Sequence, residues 1–166
     1  MTAPRRLPFD PIERAGELWE ERVGPAGPMR LATTIMRVQQ IVVATLDATL
    51  KPFDITFARY EVLRLLSFSR SGSLPLSKIG ERLMVHPTSV TNAIDRLVAA
   101  GLVDRAADTA DRRRILASLT PRGREVLEGA TAAIMAIDFG VGALDAADQQ
   151  AAYDLLRPVR AVDFEA

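Results

Sequence analysis

The stretch from Pro87 to Gly101 limits what this chain can become more than any other part of it. Pro87 suits the first position of a helix, where no backbone N–H is needed and φ is already near its helical value. Gly101 suits the end, because the residue after a last helical turn commonly takes a left-handed conformation. Between them Val90, Ile94, Leu97 and Val98 recur at helical spacing and predict a buried face. Thr88, Ser89, Asn92 and Arg96 predict the opposite face, and nothing apolar interrupts it. Small hydroxyls, an amide and an arginine suit base edges in a major groove. On an isolated helix they would equally suit a solvated surface.

The flanking residues decide between these readings. Upstream, Leu76 to Leu83 predicts a short helix, joined to the next through Met84-Val85-His86. Downstream, Leu102-Val103-Asp104-Arg105 and Ile115-Leu116-Ala117-Ser118-Leu119 are β-prone runs. The nine residues between them hold Asp108, Asp111 and the run Arg112-Arg113-Arg114. Helix, turn, helix and a hairpin with a basic tip make a winged helix-turn-helix. Thr91 adds a further hydroxyl to the reading helix, and Asp111 is placed to pair with Arg113 and hold its guanidinium outward. His86 stands where a Ser or Thr cap is usual and is read as a solvent-facing residue.

In this region the chain resembles the MarR family of bacterial transcriptional regulators. The residues that carry the resemblance are Val90-Thr91, Asp95-Arg96-Leu97, Gly101-Leu102-Val103, Asp111-Arg112-Arg113 and Leu119-Thr120-Pro121-Arg122-Gly123, in order and spacing. It extends more loosely from about Leu31 to about Val162. Ala110 stands where family members often have arginine, and Pro75 where many open the first helix with Ser or Thr. The resemblance implies that a wing arginine enters the minor groove. It also implies relief of DNA binding by a small aromatic or anionic effector lodged between the dimer body and the DNA-binding lobe. Trp19, Phe53, Phe57 and Glu61 are the effector candidates, although core packing accounts better for Trp19 and at least as well for the two phenylalanines. Trp19 and Glu61 look like part of the urate-responsive pattern, but Phe68 stands where that pattern has arginine, so urate is not carried over.

Composition sets the outer limits. There is no cysteine, and His86 is the single histidine, so thiol sensing, disulfides and a zinc site are not expected. No stretch of about 18 consecutive apolar residues occurs, and no secretory leader is evident, so the expected location is the cytoplasm, at the nucleoid when bound to DNA. No phosphate loop, dinucleotide glycine pattern, nucleophile elbow or flanked carboxylate pair is present, and neither an enzyme nor a cofactor is expected. Net charge is zero, yet residues 70–124 hold 10 Lys and Arg against 5 Asp and Glu, leaving 11 against 16 elsewhere. That local basic surface is what phosphate neutralisation needs.

The rest of the chain reads as helices. An arm over Met1–Pro11 precedes a short helix over Ile12–Val23, with Ile12, Leu18 and Trp19 available for burial. Leu31, Ile35, Val38, Val42 and Leu46 predict a long amphipathic helix over Met29–Leu50. Thr56 is the expected cap of the next, which carries Tyr60, Leu63 and Leu66 as far as about Ser69; Arg70–Ser73 is then a polar loop. Thr120 and Pro121 start a helix expected to reach Val141, closed by Gly140 and Gly142. Asp145 starts the last, with Ala151, Ala152, Leu155, Leu156 and Val159 expected to face inward.

The expected fold is therefore mainly α, a winged helix-turn-helix with a small β-hairpin wing and long N- and C-terminal dimerisation helices. Residues 1–28 form the arm and short helix, 29–53 and 121–166 the dimerisation region, and 54–120 the DNA-binding region. The expected function is a homodimeric, ligand-responsive repressor reading a pseudo-palindromic operator on double-stranded DNA. Two alternatives stay open at this point: a winged-helix DNA binder without an effector, and a winged-helix protein-interaction module.

Overall fold

A computed structural model describes residues 7–109, 111 and 113–161. Residues 1–6 of the expected arm, Ala110 and Arg112 lie outside the described residues. The elements in order are α1 (Pro11–Arg22), α2 (Gly27–Leu50), α3 (Phe57–Ser67), β1 (Ser73–Pro75), α4 (Leu76–Leu83), α5 (Pro87–Ala99), β2 (Val103–Ala107), β3 (Ile115–Leu119), α6 (Pro121–Met135) and α7 (Ala146–Arg160). They fall into two compact units whose boundary lies inside α2, one ending at Ala44 and the other beginning at Thr45. None of these helices is long and apolar enough to cross a membrane.

In the first unit, Asp10 caps α1 by accepting the Ile12 N–H at 2.8 Å. Gly16 is the buried residue of α1, because Arg30 of α2 lies against it; a Cβ there would meet Arg30 Nε at 2.1 Å. Glu20 holds that guanidinium at 2.6 Å and Glu13 at 3.6 Å. A charged clamp therefore joins the two helices, rather than burial of Ile12, Leu18 and Trp19 alone. Ile12 and Leu18 are only half-buried, and Trp19 is 41% exposed. On α2 the expected stripe is also uncovered at Leu31 and Val38, with Met36 and Ile41 exposed beside it.

The second unit holds the core. Leu63 of α3, Ile79 of α4, Ile94 and Leu97 of α5 and Ile134 of α6 are fully buried. Each contributes roughly 1.5–3 kcal/mol relative to exposure. Thr56 stands at the N-cap of α3, but its hydroxyl makes no cap bond; Asp47 Oδ1 accepts the Phe57 N–H at 2.7 Å instead.

The sheet has three antiparallel strands in the order β1-β3-β2, not the two expected. Leu74 of β1 and Arg105 of β2 both pair with Ala117 of β3. β1 spans Ser73–Pro75, three residues, too short to show an alternation of its own. It forms because β3 offers an edge that β2 leaves open.

Two further expectations are corrected at the C-terminal end. α6 stops at Met135 rather than near Val141, because Asp138 and Phe139 take left-handed φ values of 46° and 53° that no right-handed helix continues through. α7 has the expected cap, Asp145 Oδ1 accepting the Asp148 N–H at 2.9 Å. Its apolar stripe does not face inward, however: Ala151, Leu155 and Val159 are exposed, and Ala152 and Leu156 only half-buried. The stripe is amphipathic, and the chain's own core leaves it uncovered.

Candidate nucleic-acid interface

α4 and α5 are joined by Met84 in a left-handed conformation, φ 54°, which turns the chain sharply enough to start α5 at Pro87. His86 is exposed and also caps: its Nδ1 accepts the Thr88 N–H at 3.2 Å. Loss of that acceptor in His86→Ala should lower stability by about 1 kcal/mol in urea unfolding, and an unchanged midpoint would mean the cap is not made in solution.

α5 is anchored by Val90, Ile94 and Leu97. Val98, expected on the same face, is 38% exposed, because one residue turns the helix by about 100° and carries it past the edge of the stripe. Thr88, Ser89, Asn92 and Arg96 are all exposed, and their side chains make no hydrogen bond among the described residues. Thr91 differs: it is half-buried and its hydroxyl donates to the Pro87 carbonyl at 3.1 Å. It keeps lone pairs for a partner, but its proton is engaged.

The wing is built around Asp111. Its Oδ1 accepts from the Arg113 N–H at 3.1 Å and from Arg113 Nε at 3.3 Å, and its carbonyl accepts the Arg114 N–H at 2.8 Å. Asp108 closes the loop by donating its N–H to the Arg114 carbonyl at 2.9 Å, with its carboxylate 3.7 Å from Arg114 Nε. Arg113 is held at its root while its side chain stays 93% exposed. Arg112 lies outside the described residues.

One link between helix and wing was not legible in the sequence: Asp95 of α5 meets Arg105 of β2 at 2.5 Å. Both residues are partly exposed, so the pair adds at most about 1 kcal/mol. It ties β2 to α5. Ten residues separate the partners, and no local periodicity predicts such a contact.

The effector candidates are placed separately. Phe53 rests on Gly129 of α6, where a Cβ would lie 2.8 Å from its ring, and Phe57 stacks on Tyr60 with ring centroids 5.9 Å apart. Both are half-buried and engaged in packing. Glu61 is exposed, and partial desolvation pushes its carboxyl pKa upward. Trp19 belongs to the other unit. A cleft of about 800 Å³ between α4 and α5, walled by Leu76, Gly80, Met84, Val85 and Thr91, includes none of the four.

The family model described as MarR family matches residues 55–115. The chain is 30% identical over 128 residues to the HTH-type transcriptional repressor Rv2887 of Mycobacterium tuberculosis, covering 77% of this chain and 91% of that one. It is 54% identical to Sco5413, a MarR family transcriptional regulator from Streptomyces coelicolor, with a TM-score of 0.77 over 84% of this chain and 98% of the other. A mutant MarR from Escherichia coli, crystallised with operator DNA, is 26% identical with a TM-score of 0.71 over 86% and 98%.

Proposed function

This chain belongs to the MarR family of transcriptional regulators, and we propose that it represses transcription by binding a pseudo-palindromic operator as a homodimer in the cytoplasm. The carrying observation is the split character of α5: one face is locked into the core, while Thr88, Ser89, Asn92 and Arg96 stand exposed with no side-chain partner among the described residues. A hydrogen-bonding face that the fold itself does not use is free for base edges. In this reading residues 54–120 are the DNA-binding region. Thr88, Ser89 and Asn92 read bases, and Thr91 and Arg96 assist. Arg112, Arg113 and Arg114 supply the wing's charge to phosphates or to a narrow minor groove. Asp111 positions Arg113.

Dimerisation is supported by apolar surface on elements outside that region: Leu31, Val38 and Ile41 on α2, and Leu155 and Val159 on α7. Exposed stripes of this kind mark a protein interface. We assign residues 29–53 and 121–166 to it. A small aromatic or anionic effector that relieves binding completes the reading. Of the four candidates, Glu61, exposed on α3, is the one proposed to face it, because Phe53 and Phe57 are engaged in packing against Gly129 and Tyr60.

Selection of bound duplexes from random DNA, followed by two substitutions, tests the function. Asn92→Ala should cost about 1–3 kcal/mol at one base pair in each half-site and relax preference there. The half-sites should lie about 10 bp apart, because a two-fold dimer sets its reading helices one DNA turn apart. Arg113→Ala should instead weaken binding to every sequence and lower the salt slope by roughly one counterion per subunit. Equal losses on all sequences with parallel salt slopes would mean that helix and wing do not divide the work in this way.

A further inference from the structure

The cleft between the start of α3 and the outer side of α5 is lined by two arginines, and among the described residues no carboxylate pairs with either. Thr56, Ala58 and Arg59 line it on one side and Asn92, Asp95 and Arg96 on the other, around about 420 Å³. Among the described residues neither Arg59 nor Arg96 makes an ion pair, whereas Asp95, the acid in the cleft wall, is engaged by Arg105 at 2.5 Å. Behind Arg59, Asp47 and Asp54 line a second, smaller cleft. Asp47 is occupied there by the Phe57 N–H at 2.7 Å, and neither acid pairs with Arg59. Two unpaired arginines lining one cleft favour an anion there. A guanidinium fork fits the oxygens of a phosphate better than any other common anion except a carboxylate.

We propose that this cleft holds one DNA backbone phosphate per subunit, just outside the base pairs that α5 reads, with Arg59 as its main ligand. The inference rests on the DNA-binding function above. Arg96 lies two helical turns beyond Thr88 and Ser89, so an anion beside it sits at the flank of the bases those hydroxyls face. Arg59 belongs to α3, a different helix. A bond from it ties a second element to the backbone and sets the angle at which α5 enters the groove.

The test uses the full chain and a duplex that the wild type selects from random DNA, together with copies carrying one neutral methylphosphonate at each backbone position. Arg59→Ala should bind roughly tenfold more weakly, lose about one counterion per subunit from the salt slope, and keep its base preference. One neutral phosphate per half-site should weaken the wild type but leave Arg59→Ala unaffected. Arg59→Lys should recover part of the slope, and Arg59→Gln serves the same comparison if the alanine variant does not fold. Wild-type affinity and slope in Arg59→Ala would overturn the proposal. So would weakened binding that remains sensitive to every neutral phosphate the wild type senses. A third overturning result is inorganic phosphate, at fixed ionic strength, raising the Tm of the wild type but not of Arg59→Ala while DNA binding is equal; the cleft would then take free phosphate. If the wild type itself selects no sequence and shows no salt slope, the DNA-binding function fails first, which is a separate outcome.

Discussion

Gly123→Ala is expected to lower the unfolding free energy by about 3 kcal/mol, a large part of the roughly 5–15 kcal/mol that holds a domain together. The cause is a backbone contact. A Cβ on Gly123 would lie 2.0 Å from the Leu102 carbonyl oxygen and 3.2 Å from Leu119 Cδ2. That carbonyl cannot move cheaply, because it accepts the Thr120 N–H at 3.2 Å, while the Leu102 N–H is tied to the Leu97 carbonyl at 2.9 Å. Thr120 adds two more bonds at the same junction: its hydroxyl donates to the Gly101 carbonyl at 2.8 Å and accepts the Gly123 N–H at 2.9 Å. The end of α5, the foot of the wing and the start of α6 therefore meet at one glycine. Gly129→Ala is the contrast: its Cβ would meet a ring atom of Phe53 at 2.8 Å, and a side chain can turn aside. Urea unfolding of both variants tests the point. A Gly123→Ala protein within about 1 kcal/mol of wild type would show that α6 slides without cost.

That junction also shows which parts of the fold were legible. Thr120-Pro121 reads as a helix start from local chemistry alone, and the Gly123 N–H duly meets the Thr120 hydroxyl. The same holds for Pro87 as the first residue of α5 and for Asp145, whose cap reaches three residues on, whereas the cap that His86 supplies was not read from the sequence. α5 was legible because its two faces differ in every residue type. What failed needed partners distant in sequence. β1 is defined by the edge of β3 and not by its own three residues. Asp47 takes the cap that Thr56 was expected to supply, from ten residues upstream. Arg30 replaces the apolar contact expected on α1 because Gly16 leaves room for a guanidinium.

The interface shows the same division. Thr88, Ser89, Asn92 and Arg96 could be named from helical spacing, and their exposure accords with that pattern. The Asp95–Arg105 pair and the cleft that brings Arg59 beside Arg96 depend on how α3, α5 and β2 pack, which no window of sequence contains. Hydrophobic periodicity has a further limit: it finds a stripe without saying what covers it. The stripes of α2 and α7 have the right period, yet Leu31, Val38, Leu155 and Val159 lie open in the single chain.

That ambiguity makes Leu155→Asp the sharpest test of assembly. Leu155 is 77% exposed, so in an isolated chain the change should alter stability by no more than about 0.5 kcal/mol. In a two-fold dimer it places an unpaired carboxylate at the interface twice, at a cost of several kcal/mol for each copy buried. The dimer should dissociate while far-ultraviolet circular dichroism and the urea midpoint of the subunit stay close to those of a folded protein. Operator affinity should fall by about 10²–10⁴, because two half-sites no longer share one tethered reader. The salt slope should halve with it, since each subunit then neutralises only its own phosphates. Sedimentation at micromolar concentration provides the first measurement and a titration of the selected duplex the second. A variant that stays dimeric and binds like wild type would remove α7 from the interface. A wild type that sediments as a folded monomer yet binds a full operator tightly would remove the dimer from the mechanism altogether.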